Sequence, residues 1–130
     1  MNDLPSELDV YARIGDEGFA RLVRGFYERV RTDDLLAPLY PEDDWAGAEE
    51  RLLDFLVGRM GGPPRYMEKR GHPRLRMRHA PFPIDAARRD RWVELMDASL
   101  DEATFDADVD AYLRAFFAHV ASFLINSAPA

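Results

Sequence analysis

The spacing of apolar residues most constrains what this chain can fold into. Stretch after stretch, they recur three and four positions apart, the repeat of a helix with one buried face, and no stretch sustains the two-residue alternation of a strand. Phe19, Leu22, Val23, Phe26, Tyr27 and Val30 form one broad face on a helix starting near Asp16. Trp45, Ala48, Leu52, Phe55 and Leu56 form another, with Arg51 at its border. Trp92, Leu95, Met96 and Leu100 give a third. The last runs through Val109, Tyr112, Leu113, Phe116, Phe117, Val120, Phe123 and Leu124, apolar enough for a core or a subunit contact. A short first helix is expected to carry Leu8, Tyr11 and Ile14, with Ser6 as its cap, Asp9 three residues on, and a stop at Gly15. The pattern predicts an all-α fold.

The punctuation agrees. Thr32-Asp33-Asp34 ends the helix begun near Asp16, and a short turn from Leu35 to Tyr40 is broken by Pro38 and closed by Pro41. Asp43 or Asp44, Asp85 and Asp106 are placed to cap the three later helices. Gly61-Gly62-Pro63-Pro64 stops the helix before it. From Arg65 to Pro83 the chain is rich in Pro, Gly and Arg and is expected to be mostly irregular, with one helical piece from Arg74 to His79. A weakly structured segment of roughly twenty residues in a small domain is usually functional or disordered. This one holds two of the three histidines, and a bound cofactor would order it.

A chain of 130 residues suits one domain with a modest core. It has no cysteine, which excludes disulfides, a thiolate nucleophile and cysteine-ligated zinc or iron–sulfur centres. A reducing cytoplasm is the expected setting. The net charge of −7 disfavours nucleic acid and anionic membrane surfaces, although Lys69 to Arg78 is locally basic. Met1–Leu8 is acidic and polar, unlike a signal peptide, and no apolar run reaches membrane-spanning length.

His79 ends the run Arg74-Leu75-Arg76-Met77-Arg78-His79. A neutral imidazole can give a ring nitrogen to a metal, and one axial histidine suffices for haem iron; a capping or surface histidine is the plainer reading. His72, between Gly71 and Pro73, reads as structural. His119 reads as a partly buried histidine among apolar neighbours. A zinc site from His72, His79 and a carboxylate lacks a familiar ligand spacing. Tyr27, Tyr40 and Trp92 are aromatics with polar tips in apolar settings: either donors around a ligand or core residues paired to backbone. Arg51, Tyr66, Arg76 and Arg78 could hold anionic carboxylates or simply be solvated. Ser99 and Ser122 lack a neighbouring arrangement of His with Asp, and there is no glycine-rich phosphate loop.

In order and spacing, several segments resemble the group II truncated haemoglobins. They are Phe26-Tyr27, Leu39-Tyr40-Pro41-Glu42-Asp43-Asp44, Ala46-Gly47-Ala48-Glu49-Glu50-Arg51-Leu52, Gly61-Gly62-Pro63, Tyr66, Arg70-Gly71-His72-Pro73-Arg74-Leu75-Arg76-Met77-Arg78-His79, Pro81-Phe82 and Arg89-Asp90-Arg91-Trp92. The resemblance implies a two-over-two helical sandwich enclosing haem b, with a globin domain over 11–126, an extension over 1–10 and a tail over 127–130. It makes His79 the proximal iron ligand and puts Tyr27, Tyr40 and Trp92 on the distal side. Leu52 and Phe55 become pocket walls, Leu75 and Phe82 further haem contacts, and Arg51, Tyr66, Arg78 and Arg76 propionate partners. Ala48 falls where many globins carry a distal histidine, so the distal hydrogen bonds must come from the aromatics. Two departures stand out. The first turn reads Gly15-Asp16 with a further Gly18, and Met60 replaces a large aromatic, which is expected to alter the pocket floor or mouth.

Donors around a diatomic ligand that draws in negative charge would slow its release, which favours redox chemistry or sensing over bulk transport. Three classes follow. One is an oxygen carrier that also takes nitric oxide or carbon monoxide. Another is a nitric oxide dioxygenase or peroxidase-like enzyme served by a separate reductase. The third is a haem-free helical interaction module. A homodimer through the last helix is a further expectation.

Overall fold

The computed structural model describes residues 9–127, and among them there is no strand. The expected Ser6 cap and Leu8 lie outside the described residues. Helix α1 spans Val10–Val30, a 3₁₀ turn spans Ala37–Leu39, and α2 (Trp45–Arg59), α3 (Arg65–Arg70), α4 (Leu75–His79), α5 (Ala86–Ala103) and α6 (Ala107–Phe123) follow.

The break expected at Gly15 is present inside α1, where the backbone leaves helical geometry at φ 67° and ψ −177°. A positive φ of this kind favours glycine because it has no Cβ to clash. Gly18 serves a different purpose: a Cβ there would lie 2.7 Å from the Ile14 Cβ. The departure expected at Gly15-Asp16 and Gly18 thus resolves into one glycine for conformation and one for close approach. Beyond the break, Phe19, Leu22, Val23, Phe26, Tyr27 and Val30 are all buried, as their spacing predicts.

Three expectations are corrected. Arg65–Arg70 is a helix rather than irregular chain. Its residues are mostly good helix formers. Buried Tyr66 anchors it, and the Lys69 Nζ donates to Glu50 and Asp54 of α2, both at 2.9 Å. Asp44 and Asp106 stand at the cap positions of α2 and α6 without capping them. Arginines take their carboxylates instead: Arg51 at 3.0 Å from Asp44, and Arg13 at 3.1 Å from Asp106. His119 is exposed, because the apolar stripe of α6 turns Val109, Leu113 and Phe117 inward and leaves His119 on the solvent side. Asp85 does cap α5, accepting the Arg88 amide at 2.9 Å.

α1 packs on α2, α5 packs on α6, and α1 crosses against α5, which gives two helix pairs in two layers. The shared core holds Phe19, Leu22, Phe26, Leu56, Met96, Leu100 and Leu113. Met60, expected at the floor or mouth of a pocket, is instead buried in this core, and its carbonyl accepts the Tyr11 amide. α3 and α4 belong to neither layer. They form the segment that closes one side of a cleft.

Candidate functional site

The cleft measures about 520 Å³ and draws on every helix. Tyr27 reaches it from α1, Leu39 from the 3₁₀ turn, and Tyr40 and Pro41 from just beyond that turn. Ala48, Arg51, Leu52 and Phe55 line it from α2, and Tyr66 from α3. Leu75, Arg78 and His79 come from α4, Phe82 and Ile84 from the following loop, and Arg88 and Trp92 from α5. Phe116, Phe117, Val120, Ala121 and Leu124 close it along α6 and its end. A smaller hollow of about 380 Å³ beside Arg21, Ser99, Glu102 and Ala103 gathers no metal-ligating pair.

One nitrogen of His79 has a fixed role. Its Nδ1 lies 2.7 Å from the Leu75 carbonyl, one helical turn back. A carbonyl oxygen can only accept, so Nδ1 carries a proton, and in the neutral imidazole Nε2 then keeps its lone pair. A histidine that ligates a metal commonly shows this arrangement. His72 does something else: its Nδ1 accepts the Arg74 amide at 3.1 Å and shapes the turn before α4. Among the described residues no three His, Cys, Asp or Glu side chains gather into a metal cluster, so the zinc alternative has no ligand set there.

The polar-tipped aromatics meet in the same cleft. The Tyr27 and Tyr40 rings pack edge to face at 5.7 Å, Tyr40 stacks on Trp45 at 5.2 Å, and Trp92 packs on Phe26 at 4.9 Å. Burial pushes the Tyr27 phenol well above its ordinary range, and neighbouring Tyr40 adds to the shift. Burial likewise raises Tyr40, opposed by Tyr27 and Trp92 close to its oxygen. Both phenols therefore keep their protons at neutral pH and can donate. The Trp92 indole can only donate.

The expected carboxylate partners divide. Arg51 reaches the cleft while paired with Asp44. Arg78 reaches it while donating to the Pro73 carbonyl at 2.8 Å and the Arg70 carbonyl at 3.0 Å, with its guanidinium 5.9 Å from the Tyr66 ring centre. Arg76 does not line the cleft; its guanidinium lies over the Phe123 ring at 5.2 Å. Residues two apart on an α-helix point to roughly opposite sides, so Arg76 and Arg78 do not share one face.

Arg70, Ile84, Arg88, Phe117, Val120, Ala121 and Leu124 also line the cleft, although nothing in the sequence marks them as site residues. The α6 residues were visible as an apolar stripe, but a stripe does not tell a core from a cavity wall. Arg88 carried no signal. Its Nη1 binds Asp85 at 3.1 Å, and its buried Nε has no partner among the described residues.

These residues fit a haem. Leu52, Phe55, Phe117, Val120 and Leu124 offer an apolar lining. His79, with Nδ1 bonded to Leu75, offers its Nε2. Arg51, Arg70, Arg78 and Arg88 supply cations at the wall for acidic side groups. A two-layer sandwich of few helices around such a cleft defines a globin of the shortened, two-over-two kind.

The bacterial-like globin family model matches residues 9–125. The chain is 38% identical over 120 residues to the group 2 truncated hemoglobin YjbI of Bacillus subtilis (strain 168), covering 92% of this chain and 90% of that one. Among solved structures, a thermostable hemoglobin from Thermobifida fusca superposes with a TM-score of 0.87 at 46% identity, over 90% of this chain and 96% of that one. A truncated oxygen-avid haemoglobin from Bacillus subtilis gives a TM-score of 0.86 at 37% identity, over 90% and 98%. The chain belongs to the bacterial-like globins and, within them, to the group II truncated haemoglobins: it is a haem globin.

Proposed function

We propose that this chain holds haem b through His79 and retains a diatomic gas, oxygen foremost, beside Tyr27, Tyr40 and Trp92. The observation that carries the reading is the bond that commits His79 Nδ1 to the Leu75 carbonyl, in a residue that lines the same cleft as Tyr27, Tyr40 and Trp92 and keeps Nε2 for a metal. The haem supplies an iron that coordinates small ligands; the chain decides how firmly they stay. Leu52, Phe55 and Phe117 keep water scarce, which strengthens any hydrogen bond made there. Ala48 offers no polar group, so the hold falls to two protonated phenols and one indole. Arg51 and Arg78 would neutralise the propionates, and the Tyr66 hydroxyl would help to orient them. Nitric oxide and carbon monoxide fit the same space.

Three donors favour slow release and a role in sensing or redox chemistry over bulk transport. The oxygen-avid character of the Bacillus subtilis relative supports that direction. Sustained turnover of nitric oxide or peroxide would need electrons from a separate reductase. Oxygen dissociation from the reduced, haem-loaded protein tests the reading. Trp92→Phe removes one donor and is expected to speed release about tenfold, the worth of one hydrogen bond in a dry site. An unchanged rate would remove Trp92 from the mechanism.

A further inference from the structure

α4 is too short to hold its own position. It has five residues, its preceding residue Arg74 sits at φ 44°, and no side chain caps its start. A single helical turn is unfavourable without outside contacts, yet His79 is its last residue. At the other end of the chain, Asn126 bonds to the segment that follows it. Its Oδ1 accepts the Ile84 amide at 2.9 Å, and its own amide donates to the Ile84 carbonyl at 2.9 Å, closing a two-way pair. Its Nδ2 donates to the Phe82 carbonyl at 3.0 Å and to the His79 carbonyl itself at 3.2 Å. The Ser127 hydroxyl donates to the same Oδ1 at 2.9 Å. The Phe82 amide in turn donates to the His79 carbonyl at 2.9 Å.

We infer that Asn126 is a positioning residue for His79: its carboxamide staples the end of α6 to the His79 carbonyl and the loop beyond, and so sets how the imidazole is presented to the cleft. The chemistry requires an amide. The Nδ2 group gives two protons to two carbonyls while Oδ1 takes a proton from a backbone amide, and no other side chain except glutamine both donates and accepts in this way. Glutamine is one methylene longer, so its amide would stand out of register. An aspartate would keep the acceptor and set a negative charge against the carbonyls of His79 and Phe82. The inference rests on His79 as the iron ligand, as proposed above.

The test compares Asn126→Ala and Asn126→Asp with Ser122→Ala. The last removes the Arg89–Ser122 bond at the same helix end without touching the His79 segment. Two readouts apply: the iron–histidine stretching band of the reduced, haemin-reconstituted protein, and the rate of haem loss to excess apomyoglobin. In both Asn126 variants the band is expected to move or broaden and haem loss to quicken about tenfold, with helical circular dichroism preserved. Ser122→Ala is expected to leave the band in place. A wild-type band and wild-type haem loss in Asn126→Ala would overturn the inference, as would the same band shift in Ser122→Ala. Hydrogen exchange at the Ile84 amide in the haem-free protein, expected to be faster in Asn126→Ala, reports on the staple directly. If wild-type protein shows no histidine-ligated haem at all, His79 as ligand fails, and the exchange measurement still decides whether the staple exists.

Discussion

At the scale of single residues, the site depends on groups with no freedom to change role. The Leu75 carbonyl fixes the His79 tautomer, and burial keeps the Tyr27 and Tyr40 phenols protonated. Gly15 is comparably constrained by conformation. Its φ of 67° leaves space around it but strains any residue with a Cβ. Gly15→Ala is expected to cost about 1–2 kcal/mol of stability without altering the cleft. Urea unfolding checks this, and an unchanged midpoint would show that the break in α1 does not need glycine. Gly18→Ala differs in kind, since its conflict is with the Ile14 side chain.

At the scale of elements, the long helices were legible in the sequence and the short ones less so. α1, α2, α5 and α6 each bury a stripe repeated over several turns, and that repetition announces a helix. α3 has too few residues to show a period, and its flanking prolines and glycines read as loop. What makes it helical is tertiary: Tyr66 in the interior and Lys69 on two carboxylates of α2. The caps of α2 and α6 were misread for a related reason. An aspartate at the right position predicts a cap, but Arg51 and Arg13 compete for Asp44 and Asp106, and only the folded chain shows that. The residues around His79 were legible as a pattern, and so was the helical piece that carries it, expected from Arg74 to His79 and found as Leu75–His79, whereas the bonds that hold that turn were not. Arg78 holds that turn through the Pro73 and Arg70 carbonyls. Arg78→Ala is expected to speed amide exchange across α4 several-fold in the haem-free protein while leaving α5 and α6 unchanged. Unaltered exchange in α4 would mean that the Arg78 bonds do not hold the turn.

At the scale of the whole molecule, a net charge of −7 is spread over a surface laced with ion pairs. Asp16 is lowered by Arg65, Glu50 by Lys69, Glu102 by Arg29 and Asp108 by Arg13. Asp85 is lowered by the Arg88 amide. For Asp33 burial works upward, and the Leu36 amide and Arg91 outweigh it. A carboxylate held below its unfolded value stabilises the fold above that value and loses the contribution as pH falls through the folded one. Burial raises Asp97, so protonation relieves it and acts in the opposite sense. The balance is towards loss. The thermal midpoint is expected to fall as pH drops below about 4, more gently in high salt because the pairs are exposed. A midpoint flat through that range would contradict the role of these pairs.

The same two-layer sandwich brings residues from both ends of the chain around one cleft, and the central claim concerns what His79 does there. The most direct measurement is the absorption spectrum of haemin-reconstituted protein, oxidised and reduced, recorded beside His79→Ala. The wild type is expected to show a sharp Soret band with the signature of an axial histidine, and the variant to lose that signature. Identical spectra would contradict His79 as the ligand.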